Sequence, residues 1–271
     1  MKITIVTAYY NRRQLFINSL KTMSRSEHKD FEVLAINDCS TEEESIDDLQ
    51  DEFDFLKVIN ISKEEKTWVN PCIPYNIGFS QVDSEVMIIQ NPECMHFGDV
   101  ISYVSDNIEE NKYLSFSCYS INKAMTKVVS LCDTKEYLEE LVTPFLEGFN
   151  GDGNNGWYNH ISYRPVMYHF CSAITRTDLE KISGFDERFA DGIGFDDNEI
   201  LERIRRSSIE IVPVTLADQP PYPDNPLVIH QFHEASNYAL GNGLIMRNQN
   251  LLQQIKGEEY IKPPINKFYR T

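Results

Sequence analysis

The fold is decided by Ile3-Thr4-Ile5-Val6-Thr7-Ala8, a run of β-forming residues that ends at a polar turn. From about Arg12 onward, apolar side chains recur at the spacing of one helix face, at Phe16, Leu20 and Met23. A strand followed by a helix is the repeating unit of a parallel sheet, because the chain must cross back before the next parallel strand can pair. The opening of the chain therefore predicts the first unit of an α/β fold.

The same alternation continues through the first half of the chain. Further strands are predicted at residues 31–36, 56–61 and 85–89, and a short helix at residues 71–81. Another helix is predicted from Glu42, where Ser40 or Thr41 can cap the acidic first turn. Ligands of such sheets bind outside the carboxyl ends of the strands. One crevice should therefore be bordered by the segments that follow those ends, residues 7–12, 37–41 and 90–93.

The second half of the chain is less regular. Strands are predicted at residues 112–120, 165–174 and 227–232, and helices at residues 134–149, 196–206 and 238–255. A polar loop rich in Gly and Asn is predicted at residues 150–157, where it could order over a bound ligand as a lid. No internal repeat or low-complexity linker divides the chain, so we expect one α/β domain.

Composition and charge exclude several classes of protein. The hydrophobic share of 41% and the aromatic share of 11% suit an ordinary globular core. The formal net charge of -17 argues against nucleic acid or an anionic membrane as partner, and a phosphate-bearing ligand would need local cations, backbone amides or a metal. The six cysteines form no close pair and are expected to be reduced thiols. Neither a signal peptide nor a transmembrane segment is recognisable, so a soluble cytoplasmic protein is expected.

Three segments of the first half resemble motifs of glycosyltransferase family 2, whose members have the GT-A fold. Residues 6–12, Val-Thr-Ala-Tyr-Tyr-Asn-Arg, resemble the first-strand turn, where the nucleotide base packs against the chain. Residues 37–41, Asn-Asp-Cys-Ser-Thr, resemble the acidic second-strand turn, whose carboxylate contacts the nucleoside. Residues 74–78, Pro-Tyr-Asn-Ile-Gly, resemble the Ala-Arg-Asn-x-Gly segment, with Tyr75 in place of the arginine.

This resemblance spans roughly residues 1–235. It implies an α/β GT-A fold with a mainly parallel central sheet flanked by helices. Within a single domain it implies a nucleotide-sugar-binding half at residues 1–110, an acceptor and catalytic half at residues 111–235, and a C-terminal helical extension at residues 236–271. The nucleotide and donor contacts that it implies are Thr7, Ala8, Tyr9, Asn11, Arg12, Asp38, Pro74, Asn76 and Asn91.

Asp38 has two interpretations when it is taken without the resemblance. Its carboxylate can accept a hydrogen bond from uracil N3–H or from a ribose hydroxyl. Asn-Asp pairs also simply close turns, because their side chains bond to nearby backbone groups. The resemblance favours the nucleoside contact.

The end of the fourth predicted strand departs from the family pattern. Where the family has an Asp-x-Asp metal motif, this chain has Asn91-Pro92-Glu93. Glu93 can still give a divalent metal a hard oxygen ligand, and Asn91 a neutral carbonyl oxygen. His230 and His233 are candidate further ligands, since the fold often brings a C-terminal histidine to the metal. Histidine favours Mn²⁺ over Mg²⁺, which remains a second choice, and transfer without a metal is the alternative.

The turn Gly192-Ile193-Gly194-Phe195-Asp196-Asp197 opens a predicted helix with an apolar stripe at Ile200, Leu201 and Ile204. It resembles the acceptor-side segment of family 2 and of β-1,4-galactosyltransferases. The resemblance implies that Asp197 is the general base and that Asp196 helps to position the acceptor. Helix capping by Asp196 is the structural alternative, but capping explains only one of the two acids.

Aromatic and polar residues near the acid pair could line the acceptor or donor pocket, because aromatic faces suit sugar rings. They are Trp157, His160, Tyr163, Arg164 and His169, with Trp68 as a possible wall of the donor-sugar pocket. Packing beneath the Asn/Gly loop is the alternative interpretation for this group.

Together these features predict a glycosyltransferase of the hexosyltransferase class. The hypothesis is inverting, metal-assisted transfer from a nucleoside-diphosphate sugar, with a UDP-sugar as first choice, to a glycan or another hydroxyl acceptor. A non-catalytic module that binds sugar nucleotides or glycans is the alternative from another class. A nucleotidyltransferase is disfavoured, because a Gly-rich basic loop does not follow the first strand.

Overall fold

The computed structural model of the chain describes residues 1–146, 156–214, 225–234, 243–264 and 266–269. Most of the predicted loop at 150–157 and the start of the helix predicted at 238–255 lie outside these described residues. Among the helices that are described, none is long and apolar enough to cross a membrane.

The described chain contains strands and helices in alternation through most of its length. The strands are β1 (Ile3–Tyr9), β2 (Phe31–Asn37), β3 (Leu56–Asn60), β4 (Val86–Gln90), β5 (Cys94–Phe97), β6 (Lys112–Phe116), β7 (Cys118–Ser120), β8 (Gly156–Asn159), β9 (Cys171–Thr175), β10 (Glu210–Val214) and β11 (Leu227–His230). The α-helices are α1 (Arg13–Met23), α2 (Cys72–Gln81), α3 (Val100–Asn107), α4 (Lys123–Val129), α5 (Lys135–Leu146), α6 (Arg176–Ile182), α7 (Asp196–Arg206) and α8 (Leu244–Ile255).

The central sheet has seven strands in the order β10-β6-β9-β4-β1-β2-β3. Strands β4, β1, β2 and β3 run parallel, and β10 is parallel to β6. Strand β9 is antiparallel to both of its neighbours, β4 and β6. The predicted α/β class, with a mainly parallel central sheet flanked by helices, is confirmed.

Alternation of side chains along the strands builds a core on each face of this sheet. In β1, Ile3 and Ile5 face one apolar cluster, whereas Val6 faces the other. Val33 and Leu34 of β2 divide between the two clusters in the same way. Strands covered on both faces are apolar at nearly every position, which is why these segments were recognisable as strands.

A second sheet of four strands, in the order β5-β11-β7-β8, was not predicted. Two of its strands, β7 and β11, lie within the strands predicted at residues 112–120 and 227–232, whereas β5 and β8 were missed because four residues are too few to show a period of two. Strand β11 is antiparallel to β5, so that His230 pairs with Cys94. This pairing matters for the site, because Glu93 directly precedes β5.

Two predicted elements were wrong in detail. The acidic helix expected from Glu42 is a pair of short 3-10 helices, Glu42–Glu44 and Asp47–Asp51, and the Thr41 side chain makes no capping hydrogen bond to the first. The strand expected at residues 165–174 begins only at Cys171, because the preceding chain is turned and Met167 has a φ of 61°.

Helix α2 packs so closely on β1 that one position tolerates no side chain. A Cβ atom on Gly78 would lie 2.4 Å from Cγ1 of the buried Val6. Overpacking of this kind forces backbone shifts, since neighbouring core atoms cannot move aside.

We therefore expect Gly78→Ala to lower the free energy of unfolding by about 1–3 kcal/mol, although alanine is the better helix former. Urea denaturation of the variant would measure the loss. Gly257→Ala is the matched control, because nothing lies within 4 Å of a Cβ at Gly257. Equal midpoints for the wild type and Gly78→Ala would contradict this account of the packing.

Candidate functional site

The candidate site lies at the carboxyl ends of β1, β2 and β4, as the sequence predicts for a parallel sheet. Arg12 follows β1, Asp38 follows β2, and Glu93 follows β4. The turns after β1 and β2 are joined, because the Asn11 side-chain oxygen accepts a hydrogen bond of 2.9 Å from the backbone of Thr41. The predicted segments therefore meet at one edge of the central sheet.

The carboxylate of Asp38 is already well bonded within the protein. Lys66 Nζ donates to Asp38 Oδ2 at 2.7 Å, and Trp68 Nε1 donates to Oδ1 at 2.9 Å. Burial raises the pKa of Asp38 above its usual value, and the bonds from Lys66 and Trp68 offset only part of that effect. Trp68, expected at the donor sugar, is thus buried beside Asp38.

Two neighbours of Asp38, the basic Lys66 and the aromatic Tyr10, were not predicted from the sequence. Lys66 lies over the ring of Tyr10, with Nζ 4.6 Å from the ring centroid. Tyr10 is half exposed, so its ring is open to a ligand beside the Asp38 turn. No sequence spacing joins Lys66 to a turn 28 residues earlier, and only the fold reveals the contact.

Several expected nucleotide contacts have side chains that face the protein interior. Tyr9 is fully buried and its hydroxyl donates to the backbone of Glu44 at 2.6 Å. The Asn76 amide both donates to and accepts from the backbone of Phe185, at 3.0 and 2.8 Å. Pro74 and Thr7 are also buried. These side chains shape the site from behind instead of facing a ligand, whereas Ala8 is partly exposed at the end of β1.

Tyr75, which stands in place of the family's arginine, links two parts of the site. Its hydroxyl donates to the backbone oxygen of Gln90 at 3.1 Å and lies 3.3 Å from Asn91 Oδ1. Its ring meets that of His169 edge-on, with centroids 5.1 Å apart. Tyr75 therefore contributes packing and orientation, and it cannot supply the positive charge of an arginine.

Glu93, His230 and His233 form one group of possible metal ligands, whose ligand atoms all lie within 4.8 Å of one another. His230 Nε2 lies 3.1 Å and His233 Nε2 3.5 Å from Glu93 Oε1. His230 Nδ1 is buried without a hydrogen-bond partner among the described residues. Two imidazoles and one carboxylate suit a transition metal such as Mn²⁺ better than Mg²⁺. The residues present therefore fit the expected metal.

Arg12 contributes a permanent positive charge to the same group. Its guanidinium donates to Glu93 Oε2 at 2.6 Å and lies 3.4 Å from His233 Nδ1. Burial alone would raise the pKa of Glu93, but Arg12 and the bonds from His230 and His233 outweigh it and hold the pKa well below its usual value. Glu93 is therefore an anion beside a cation, with or without a metal.

The acid pair lies at the start of α7, and its two carboxylates have different surroundings. Asp196 is buried and accepts a 3.0 Å hydrogen bond from Asn70 Nδ2. Asp197 is partly exposed, with Oδ1 2.5 Å from His169 Nδ1. The N-cap position is held by Phe195, so the interpretation of Asp196 as a helix cap is wrong.

Burial and neighbouring charges shift the pKa of Asp196 and that of His169. Burial, reinforced by the negative charge of Asp197, raises the pKa of Asp196 to about 6. Burial opposes the charged form of His169, but Asp197 and Asp196 outweigh it and raise the pKa of His169. The partly exposed carboxylate of Asp197 thus lies against a histidine whose charged form its neighbours favour. The ligand atoms of His169, Asp196 and Asp197 also lie within 4.8 Å of one another.

The expected aromatic cluster divides into two groups. Trp157 is buried against Tyr119 and His160, with ring centroids 5.1 and 4.4 Å apart, and Tyr163 stacks on His160 at 4.6 Å. These contacts favour the packing alternative. His169 instead joins the acid pair.

The backbone of Arg164 pairs with that of His160 through hydrogen bonds of 2.9 and 3.0 Å, while its guanidinium lies over the ring of Tyr158 at 5.5 Å. Tyr158 in turn contacts His230, with ring centroids 4.7 Å apart. Arg164 is therefore connected to the possible metal ligands through one aromatic side chain.

Comparison with known proteins confirms the predicted GT-A fold. A family model described as Glycosyl transferase family 2 matches residues 4–166, more than half of the 271 residues. No curated protein sequence matches the chain. The chain is similar in fold to TarS of S. aureus in complex with UDP-GlcNAc, at 13% identity and a TM-score of 0.56 over 89% of this chain and 62% of that one.

Two further solved structures are similar in fold. The mannosyltransferase PcManGT of Pyrobaculum calidifontis, in complex with GDP-Man and Mn²⁺, has 11% identity and a TM-score of 0.52 over 88% of this chain and 59% of that one. Glucosyl-3-phosphoglycerate synthase of Mycobacterium tuberculosis, with Mn²⁺, UDP and glucosyl-3-phosphoglycerate, has 12% identity and a TM-score of 0.51 over 94% and 79%. The chain spans less than two thirds of the TarS and PcManGT structures.

The raised pKa of Asp196 has a consequence for stability. The unfolded carboxyl ionises near 3.8, whereas the folded carboxyl keeps its proton to about 6. In this window the folded state binds more protons than the unfolded state, so the contribution of Asp196 to the free energy of unfolding falls as the pH rises.

We expect Asp196→Asn to remove this pH dependence, because a neutral amide is not penalised by burial. The Tm of the variant minus that of the wild type should increase as the pH is raised from about 4 to about 7. Asp54→Asn, at an exposed carboxylate, is the control and should show no such trend. A Tm difference that stays constant over this range would refute the assignment.

Proposed function

Because the chain belongs to glycosyl transferase family 2, we propose that it transfers a sugar from a nucleoside-diphosphate sugar, first of all a UDP-sugar, to a hydroxyl acceptor with inversion. The observation that carries the proposal is the acid pair at the start of α7. Asp197 is a partly exposed carboxylate held by His169, and Asp196 lies buried behind it. Such a pair suits proton removal from an acceptor, since the carboxylate of Asp197 is partly exposed and an acceptor can reach it.

Asp197 acts as the general base in this proposal. It takes the proton of the acceptor hydroxyl while the acceptor oxygen bonds to the anomeric carbon and the bond to the diphosphate breaks. The His169 ring is almost fully buried against Tyr75 and Phe185, so it orients Asp197 and does not meet the acceptor. Asp197 lies in the first turn of α7, at the positive end of the helix dipole.

Asp196 helps to position the acceptor in this proposal. The turn at residues 192–197 would then act as the similar acceptor-side segment of β-1,4-galactosyltransferases does. On the nucleotide side, the carboxylate of Asp38 would accept from the nucleoside and the ring of Tyr10 would lie against the base. Within the domain, residues 1–110 would bind the nucleotide sugar and residues 111–235 would bind the acceptor and carry the catalytic residues. Residues 236–271 would form a C-terminal helical extension. The similar TarS structures in complex with UDP and with UDP-GlcNAc support a uridine donor.

Glu93, His230 and His233 would hold a divalent metal, with Mn²⁺ as first choice. When bound, the metal would offset the negative charge of the departing diphosphate. Two of the similar structures are complexes with Mn²⁺, which supports this choice. Local cations matter in a chain with a net charge of -17, because the overall field repels a diphosphate.

A second candidate is transfer without a metal, and the 2.6 Å contact between Arg12 and Glu93 favours it. In that form Arg12 would supply, in place of the metal, positive charge near the diphosphate. The two forms differ in their response to a chelator and to substitution of Arg12.

We expect Asp197→Asn to bind the donor as tightly as the wild type but to lower kcat by about 100-fold to 10,000-fold. Calorimetry measures binding, and release of UDP from a panel of UDP-, GDP- and dTDP-sugars with candidate acceptors measures turnover. Glu202→Gln, an exposed acid on the same helix, is the matched control. Transfer that survives in Asp197→Asn would show that the base is another residue, and donor binding without turnover in the wild type would favour a binding module.

The metal-assisted form predicts that EDTA abolishes transfer and that Mn²⁺ restores it. His233→Ala should then raise the Mn²⁺ concentration needed for half-maximal activity by roughly tenfold or more, whereas His28→Ala, away from the cluster, should not. If the wild type is fully active in EDTA and Arg12→Ala is inactive, the metal-independent form is instead correct.

A further inference from the structure

Helix α8 carries a buried polar side chain that the proposed reaction does not use directly. Asn248 is fully buried, and a buried amide needs hydrogen-bond partners. It finds them outside its own helix, because Nδ2 donates to the backbone oxygens of Phe189 at 3.0 Å and Gly194 at 2.9 Å. These two oxygens lie at either end of the turn that leads into the acid pair.

The turn is shaped to receive this side chain. A Cβ atom on Gly192 would lie 2.1 Å from Asn248 Oδ1 and 2.4 Å from its amide carbon. Gly192 does not have a positive φ, so the glycine is required for space and not for its backbone conformation. Gly192 and Asn248 are therefore a complementary pair, and a side chain on the first would displace the second.

Further contacts from the first turn of α8 hold the same segment. Arg247 donates to the backbone oxygen of Arg188 at 3.1 Å and to Asn248 Oδ1 at 2.8 Å. The backbone N–H of Ile193 donates to the oxygen of Leu244 at 3.2 Å. The start of α8 thus bonds to the chain at several points between residues 188 and 194.

The entry to α7 needs such support from outside. Gly194 and Phe195 both have left-handed backbone conformations, with φ of 68° and 67°. That conformation costs free energy for a bulky residue such as Phe195, and it persists only where surrounding contacts enforce it. The next two residues are Asp196 and Asp197, so any relaxation of the turn would move both carboxylates.

We propose that Asn248 is a positioning residue, which fixes the turn at residues 189–194 and thereby the direction of Asp196 and Asp197. This inference rests on the proposed role of Asp197 as base. It also gives a catalytic reason for α8, which lies beyond the residues 4–166 that match the family model. The donor side of the site has no direct bond to Asn248 among the described residues.

A double-mutant cycle tests the pair. Asn248→Ala should lower kcat roughly tenfold to a hundredfold with the donor KM unchanged, because small displacements of a catalytic group cost that much. Gly192→Ala alone should lower kcat by a similar factor, since its methyl group displaces Asn248. In the Asn248→Ala background, Gly192→Ala should have little further effect. Multiplicative effects of the two substitutions, or an unchanged kcat in Asn248→Ala, would overturn the proposal.

Two further measurements separate positioning from general loss of stability. Ile255→Ala removes a buried apolar side chain from the same helix and should lower Tm while leaving kcat unchanged. An equal loss of kcat in that variant would overturn a specific role for Asn248. Amide hydrogen exchange at residues 192–197 should be faster in Asn248→Ala than in the wild type. This readout needs no turnover, so unchanged exchange refutes the inference even if the base is not Asp197, whereas survival of transfer in Asp197→Asn refutes only the proposed base.

Discussion

The site depends on the antiparallel insertion of β9 between β4 and β6. Because β9 runs against β4, its first residue, Cys171, pairs with Gln90, the last residue of β4. The segment just before β9, which carries His169, therefore lies at the carboxyl end of β4, where Glu93 follows. A parallel β9 would place His169 at the opposite edge of the sheet, far from Glu93.

The second sheet adds a further constraint at the same edge. Antiparallel pairing of β11 with β5 sets His230 beside Glu93. The backbone N–H of Gln231 also donates to the backbone oxygen of Glu93 at 3.2 Å. The side chain and backbone of Glu93 are thus both held. Arg12 and Lys66 bring positive charge to this edge of an acidic protein, which is the local offset that a diphosphate ligand requires.

Most strands and helices in the first half of the chain could be predicted from the sequence, since its buried strands are apolar runs separated by helical segments. The acid pair was also recognisable, because two acids after a Gly-x-Gly turn open an amphipathic helix. Asn70 and Asn248 could not be found in this way, since they reach the site across long sequence separations without a motif. The role of Trp157 was equally hidden, because buried aromatic residues and pocket-lining ones look alike in a sequence.

The central claim is that one carboxylate, Asp197, removes the acceptor proton on the face of the sugar opposite the departing diphosphate. The stereochemistry of the product tests it most directly. Proton NMR of the anomeric centre, recorded on the first product formed from a UDP-α-sugar, should show a β-linkage. An α-linked product would contradict the account, because retention requires a different arrangement of catalytic groups.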